Sequence, residues 1–378
     1  MFSTSGYVRS WGIFQAYYQE TLLQEVSPSS IAWIGSIQYA MLFIPGLIVG
    51  RLFDLGYFHS VFLFSSVILI LATFLIPQCT EYWHFLLCQG IATGIAVGGI
   101  YGSSNLIIAH WFKKKRGSAL GYIAIGSSIG GTIIPIIVKN LLPRVGFPWT
   151  MRIIGFIHLL LMGICNLMLK PRLPPVNVKG GLLNLAAFRD APFAIYCISS
   201  FIIFLGIGTV LTYVNVSASQ LGSSPNLALY FVSFANASAA LGRSAAGFGA
   251  DKFGPFNVMI PLAFFSGVLT YAWPFARSTS ALIVVTLMYG LCSATFASLL
   301  VAAIMNFGGD GDAGRRTGML MTISALGALA GPPISGAISV SSGGFKAVGL
   351  YAGSVVVLGA MCLLIVRYLA LGRWIGKI

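Results

Sequence analysis

The sequence GFGADKFG, residues 247–254, places closely spaced glycines and an aspartate at the end of a long apolar stretch. A shorter version, GRLFD, stands at residues 50–54, an offset of 197 residues. Glycine lets two helices approach closely, and an aspartate at such a point can accept hydrogen bonds from the N-terminus of a neighbouring helix. We interpret these glycines and aspartates as gate residues, with a tight turn and a capping aspartate as the alternative. The gate residues are Gly50, Asp54, Gly247 and Asp251.

The composition identifies a membrane protein. Of the 378 residues, 57% are hydrophobic and only 8% are charged, whereas soluble proteins carry about a quarter charged residues. Apolar stretches of about 20 residues, the length that crosses a bilayer, recur along the whole chain and leave no room for a separate soluble domain. The net charge of +14 comes from basic residues between these stretches and does not indicate nucleic acid as a partner.

We predict an all-α membrane protein with twelve transmembrane helices in two six-helix halves. The N-terminal half covers residues 1–169, a basic cytoplasmic loop with three prolines covers 170–190, and the C-terminal half covers 191–378. The twelve predicted helices span residues 5–24, 30–50, 60–77, 83–109, 117–138, 152–169, 191–216, 226–247, 256–275, 281–305, 315–339 and 347–369.

The distribution of lysine and arginine predicts the orientation. Sixteen of these residues lie in the even-numbered loops and the C-terminal tail, and five lie in the odd-numbered loops. Because basic residues are retained on the cytoplasmic side, we expect both termini in the cytoplasm and a multi-pass protein of the plasma membrane.

The two halves also repeat one another beyond the two motifs. Arg116 in KKKRG corresponds to Arg316 in GRRTG at an offset of 200 residues, and Gly126 corresponds to Gly327 at an offset of 201. Near-constant offsets at separate places indicate a duplication.

Several short segments in a fixed order resemble one family of proteins. The segments are GIFQAYYQETLL (12–23), IAWIGSIQY (31–39), GRLFDLG (50–56), HWFKKKRGSALGYIAIGSSIGG (110–131), LPP (173–175), GRSAAGFGADKFG (242–254) and GPPISG (331–336). The two motifs and the repeat resemble the major facilitator superfamily, and the segments resemble the fungal branch of its monocarboxylate porter family. This resemblance implies the major facilitator fold and a secondary transporter that moves a small organic solute by alternating access. The sequence contains no phosphate-binding loop of the type GxxxxGKS or GxxxxGKT.

Six polar residues inside the predicted helices are candidates for substrate binding. They are Arg9, Gln15, Gln38, Asn236, Arg243 and Tyr289. Ionisable side chains at that depth are costly and often functional, whereas the four uncharged residues can equally bond a neighbouring helix. All eight acidic residues fall in loops or at helix ends, so the sequence offers no buried carboxylate as a proton carrier.

Each of the two arginines has two interpretations. Animal members of the resembled family carry an aspartate and, four residues later, an arginine in helix eight, for proton coupling and for binding the substrate carboxylate. The arginine corresponds to Arg243, but Ala239 stands at the aspartate position; the alternative for Arg243 is a side chain that extends to the membrane surface. Arg9 either lies near the cytoplasmic end of a shortened first helix or lines the cavity of a full-length one as an anion-binding residue.

We therefore predict a secondary transporter of a monocarboxylate or a fungal secondary metabolite, with export favoured and proton coupling left open. The alternative is a transporter-like receptor or regulatory protein that binds a solute without moving it. The four histidines form no cluster with acidic residues or cysteines at metal spacing, so the sequence predicts neither an enzyme nor a metal or cofactor site. The predicted partners are the solute and the lipid bilayer.

Overall fold

The computed structural model describes residues 1–112, 114–172, 181–223, 225–305, 307, 312–373 and 376. Within these residues the chain forms helices and turns without a strand. Among the described residues, six helices are continuous and six are assembled from consecutive segments. The helices are α1 (Phe2–Gly6, Tyr7–Arg9, Trp11–Tyr17 and Tyr18–Leu22), α2 (Pro28–Met41 and Gly46–Asp54), α3 (Phe58–Leu75 and Ile76–Gln78), α4 (Tyr82–Phe85, Leu86–Ala92 and Thr93–Trp111), α5 and α6 (Arg116–Met168, divided at Gly146), α7 (Ala191–Ile207 and Thr209–Gln220), α8 (Pro225–Phe253), α9 (Pro255–Ala272 and Trp273–Phe275), α10 (Thr279–Ile304), α11 (Ala313–Ser342) and α12 (Phe345–Leu371), with a short turn of helix at Leu185–Arg189 before α7.

The all-α membrane fold predicted from the sequence is confirmed. Nine helical stretches in the described part of the chain are long and apolar enough to cross a bilayer, and one of them contains both α5 and α6. The other two helices, α1 and α8, complete the twelve; α8 carries Asn236, Arg243 and Asp251, which lower its hydropathy. Large apolar side chains face outward, for example Leu160 at 64% exposure, as expected where lipid replaces water.

The junction of α5 and α6 differs from the prediction of a connector over residues 139–151. Helical structure continues through this region and is interrupted only at Gly146, where φ is +73° and ψ is 171°. Glycine alone adopts this backbone conformation without strain. Pro148 lies two residues after Gly146, in the first turn of α6, where a proline is compatible with a helix. Lys139 consequently lies on α5 and not in a loop.

The two halves meet along two pairs of helices. α5 packs against α8 and α11 packs against α2, while α7 and α12 pack together within the C-terminal half. We call the end of the bundle that contains Asp54 and Asp251 the motif end, and the other end the open end. Ser27 and Ser278 begin α2 and α10 at the open end, where their hydroxyl oxygens accept the N–H groups of Ser30 and Ala281 as N-caps.

Candidate functional site

At the motif end, Asp251 of α8 binds the N-terminus of α5. One carboxylate oxygen accepts the backbone N–H of Gly117 at 2.7 Å, and the other accepts the N–H of Ser118 at 3.0 Å. These N–H groups lie in the first turn of α5, which has no internal acceptors for them and carries a partial positive charge. Gly247 lies against the same turn, since a Cβ atom there would stand 2.7 Å from the carbonyl oxygen of Gly117.

Asp54 of α2 makes the equivalent contact with α11. Its two oxygens accept the N–H groups of Gly314 and Arg315, both at 3.1 Å. Gly50 approaches Gly314 so closely that a Cβ atom would overlap its carbonyl oxygen. The four predicted gate residues therefore lie in two matched contacts between the halves, while their role in gating stays a prediction. We refer to these as the Asp54 contact and the Asp251 contact.

The repeat is closer in the structure than in the sequence comparison. Gly117 and Gly314, which receive the two aspartates, are 197 residues apart, the same offset as the motifs themselves. The same offset relates Gly121 and Gly318, which face the backbone of α8 and α2. At this offset Arg116 corresponds to Ala313 and not to Arg316, and Arg116 and Ala313 are the first residues of α5 and α11.

A cavity of about 330 Å³ lies between the halves, in the part of the bundle away from the motif end. Gly12 and Thr212 in its wall are exposed, so the cavity opens at the open end. No aspartate or glutamate belongs to its described lining, which is aromatic and polar. The aromatic and hydroxyl-bearing lining residues are Ser10, Trp11, Ser36, Tyr39, Phe204, Thr212, Tyr213, Tyr230 and Ser233.

Three of the six predicted substrate-binding residues line this cavity. Arg9 lies in its wall, which agrees with the cavity interpretation of this arginine. Gln15 accepts a hydrogen bond from the indole N–H of Trp11 at 2.8 Å, which leaves its amide nitrogen for another acceptor. Asn236 is almost fully buried, with its amide nitrogen 3.5 Å from the carbonyl oxygen of Gly131. These three side chains bring one positive charge and two amides to the same space.

The fourth residue, Arg243, lies between the cavity and the motif end. It is 2% exposed, and its Nη1 atom donates to the carbonyl oxygen of Ala124 at 2.5 Å and to the hydroxyl of Ser127. The side chain thus crosses from α8 to α5 and lies inside the protein. It does not extend to the membrane surface.

The remaining two residues, Gln38 and Tyr289, line neither the main cavity nor the two smaller cavities next to it. Tyr289 is fully buried and donates its hydroxyl to the carbonyl oxygen of Ile207, a bond between α10 and α7. Gln38 is 1% exposed on α2, beside Gly94 of α4. The position of Tyr289 fits the helix-bonding interpretation, whereas the buried amide nitrogen of Gln38 has no hydrogen-bond partner among the described residues. Substrate binding by either residue stays a prediction.

Lys139 and Tyr230 are lining residues that the sequence analysis did not select. The Lys139 ammonium lies 4.6 Å from the centre of the Tyr230 ring and 3.4 Å from its hydroxyl, so the pair joins α5 to α8 near the open end. Lys139 was assigned to a loop. A signal was present, because Pro135, Ile136 and Lys139 have the spacing of one helix face.

Metal ligands are not clustered in the part of the chain that the structure describes, where no three histidine, cysteine or acidic side chains come together. The arrangement is a helical membrane bundle of two matched halves, with a cavity open at one end and contacts that close the other. A family model described as Major Facilitator Superfamily matches residues 1–280 and 197–373. The chain belongs to the major facilitator superfamily, a family of transporters and not of enzymes, and is a multi-pass membrane protein.

Curated relatives cover nearly the whole chain. The MFS-type transporter 1 of Ophiocordyceps sp. (strain BCC 1869) is 36% identical over 97% of this chain and 82% of its own length. The aspyridones efflux protein apdF of Emericella nidulans is 35% identical over 96% of this chain and 74% of its own. The agnestins efflux protein AgnL12 of Paecilomyces divaricatus is 33% identical over 97% and 84%.

Solved structures share the fold at low sequence identity. The E. coli fucose:proton symporter FucP superposes with a TM-score of 0.74 over 97% of this chain and 96% of that protein, at 13% identity. The human organic anion transporter MFSD10 superposes with a TM-score of 0.72 over 94% and 89%, at 17% identity. These two similarities show the major facilitator fold alone.

Proposed function

We propose that the chain is a secondary transporter that exports a small organic solute by alternating access. The observation that carries this proposal is the cavity between the halves, which is open at one end and closed at the other by the Asp54 and Asp251 contacts. Opening the motif end requires both contacts to break, and closing the open end requires the cavity walls to meet. The two matched contacts therefore hold the motif end closed in one access state and are broken in the other.

We place the motif end in the cytoplasm of a plasma-membrane protein. The excess of lysine and arginine in the loops at the motif end supports this orientation. In that orientation the structure represents the outward-facing state, from which an exported solute leaves. Two relatives bear the name efflux protein, and that similarity supports export as the direction.

The proposed solute is an organic anion of the size of a secondary metabolite, as the monocarboxylate porter resemblance suggests. Arg9 and Lys139 bring two positive charges to the cavity, and its described lining contains no acidic side chain. Its aromatic walls offer apolar area and ring faces, and its volume is at the lower end of the range for drug-sized ligands. A carboxylate or an acidic enol with an aromatic or alkyl body suits these features.

We further propose that proton coupling does not use a carboxylate at position 239 of α8. Ala239 stands where the resembled animal porters have their aspartate, and it is buried beside the cavity. An alanine cannot bind a proton. Any pH dependence of transport is expected to come from the solute or from groups outside this position.

The test is a solute balance. Internal and external metabolites are compared in cells with and without the gene, and the purified chain is then assayed in liposomes with a panel of organic anions. We expect one or more anions to accumulate inside cells without the gene and to move across liposomes that contain the protein. Binding without flux would favour the receptor alternative. If no metabolite redistributes and no anion moves across the liposomes, the transporter proposal is refuted.

A further inference from the structure

One face of the Trp11 indole lies flat on the backbone of Gly35. A Cβ atom at Gly35 would stand 2.2 Å from Nε1, 2.3 Å from Cδ1 and 2.5 Å from Cε2 of Trp11. These atoms belong to the five-membered ring, and their nearly equal distances place the Cβ position over the ring face and not at its edge. Only a glycine leaves room for the ring here. The indole of α1 therefore rests on α2, within the N-terminal half.

The space at Gly35 accommodates a side chain and not a neighbouring helix backbone. The three atoms nearest to its Cβ position all belong to the Trp11 side chain, whereas at Gly98 of α4 the nearest atom is the backbone carbonyl oxygen of Met41, at 2.3 Å. Close packing of two helix backbones explains Gly98 but does not explain Gly35. Gly35 is therefore a positioning residue for the indole.

Two further contacts fix the orientation of the indole. Its N–H donates to Oε1 of Gln15 at 2.8 Å, and the Tyr18 ring meets it in a T-shaped contact with the ring centroids 5.9 Å apart. The bond to Gln15 satisfies the only polar group of the indole. Trp11 is half-buried and borders the main cavity together with Gly35. It presents no free hydrogen-bond donor to a solute, and the ring face turned away from Gly35 is left for contact.

An indole face with a fixed orientation distinguishes planar rings from saturated ones. An aliphatic body of the same size buries similar apolar area against the indole, so only a planar π system gains the additional stacking energy. That gain corresponds to about a threefold to tenfold difference in affinity. Because Gly35, Gln15 and Tyr18 already fix the ring, the solute does not have to order it on binding.

We propose that Trp11 is a stacking platform that makes the cavity selective for solutes with a planar aromatic ring system. The inference rests on the proposed function, which leaves an aromatic and an alkyl body equally suited, and it decides between them. The ring of the solute stacks on the free face of Trp11, while its acidic group binds elsewhere in the same cavity. Trp11 and Gly35 both belong to the N-terminal half, so the platform stays assembled when the two halves move against each other.

The test compares two probes of similar size by isothermal titration calorimetry with the purified full chain in detergent. 2-Naphthoate has a planar aromatic ring system, and decahydro-2-naphthoate carries the same carboxylate on the saturated form of the same carbon skeleton. We expect the native chain to bind 2-naphthoate about threefold to tenfold more tightly than the saturated probe.

Variants locate the source of this preference. We expect Trp11→Leu to bind the two probes equally by weakening 2-naphthoate alone, and Trp11→Phe, used if the leucine variant does not fold, to keep only part of the preference. Gly35→Ala keeps the indole but displaces it, so the same loss of preference is expected with the saturated probe bound as before. Trp33→Leu, at a 45% exposed position of α2, and Gly163→Ala, where a Cβ atom meets nothing within 4 Å, are the matched controls.

The proposal is overturned when the native chain shows no preference for 2-naphthoate, including the case in which it binds neither probe. It is also overturned when the Trp11 and Gly35 variants keep the preference of the controls. Binding in detergent does not depend on flux, so the platform and the transporter proposal fail separately. Absence of solute flux with the preference intact refutes transport alone, whereas flux without the preference refutes the platform alone.

Discussion

Replacing Asp251 by asparagine tests the closed motif end directly. The native carboxylate accepts two backbone N–H groups, from Gly117 at 2.7 Å and from Ser118 at 3.0 Å. Asparagine keeps one acceptor oxygen and turns an NH₂ group towards the second N–H. The substitution therefore removes the charge from both hydrogen bonds and leaves one of them unmade.

The magnitude follows from these two bonds. A hydrogen bond to a charged group contributes about 1.5–3 kcal/mol, and the half-buried position of Asp251 places the loss near the lower value, at about 2 kcal/mol. That energy shifts the equilibrium between the two access states by about 30-fold. Asp54→Asn is expected to have a similar effect. The double variant should add both losses, because the two contacts share no residue.

The assay measures how accessible the cavity is from the open end. A cysteine at Gly12 lines the cavity, and a side chain there meets no atom within 4 Å. Its rate of reaction with a membrane-impermeant maleimide reports how often the open end is open, after subtraction of the labelling of the six native cysteines. We expect the rate to fall in Asp251→Asn and to fall further in the double variant.

Glu81→Gln is the matched control, since Glu81 caps a helix at the other end of the bundle. Its labelling rate should equal that of the parent chain. Equal rates in the control and in the double variant, with both proteins folded, would refute the assignment of the two aspartates to the closed state.

Three further predictions concern the cavity and the fold. Lys139→Gln should raise the KM for an exported anion about fivefold to tenfold, because it removes a positive charge from the cavity. Lys346→Gln, at an exposed position, is the control and should leave the KM unchanged. Equal KM values for the two variants would exclude Lys139 from the site. Gly146→Ala should cost about 1–3 kcal/mol because of its positive φ, and a lower unfolding midpoint would reveal this loss. Gly163→Ala, inside α6 where a Cβ atom meets nothing within 4 Å, should keep or raise the midpoint because alanine favours a helix over glycine. An equal midpoint for both variants would contradict the strain at Gly146. Arg9→Asn should reduce anion transport at normal abundance, and unchanged transport would remove Arg9 from the binding site.

Much of the fold was predictable because membrane helices follow from composition. Every spanning segment must satisfy its own backbone, so long apolar stretches can only become helices. The motif glycines and aspartates could also be identified from the sequence, because their spacing repeats at a fixed offset. Their partners, Gly117 and Gly314, could not be identified, since a backbone N–H group carries no sequence signature.

The site was predictable only in part. Arg9, Gln15 and Asn236 were found because polar residues are rare inside apolar helices. Lys139 was missed because the predicted fifth helix ended at residue 138, and the positive φ of Gly146 that keeps the turn short is not visible in a sequence. Tyr289 was indistinguishable from a lining residue until the structure showed its hydroxyl on Ile207.

The most direct measurement of the central claim is solute flux by the purified chain in liposomes, compared between the native protein and Gly247→Leu. The Cβ atom of a side chain at position 247 would lie 2.7 Å from the carbonyl oxygen of Gly117. The larger leucine side chain would therefore keep α5 and α8 from closing at the motif end. Alternating access predicts saturable flux of an organic anion by the native chain and its loss in Gly247→Leu, with binding from the motif end retained. Equal flux in the two proteins, or no flux of any anion in the native one, would contradict it.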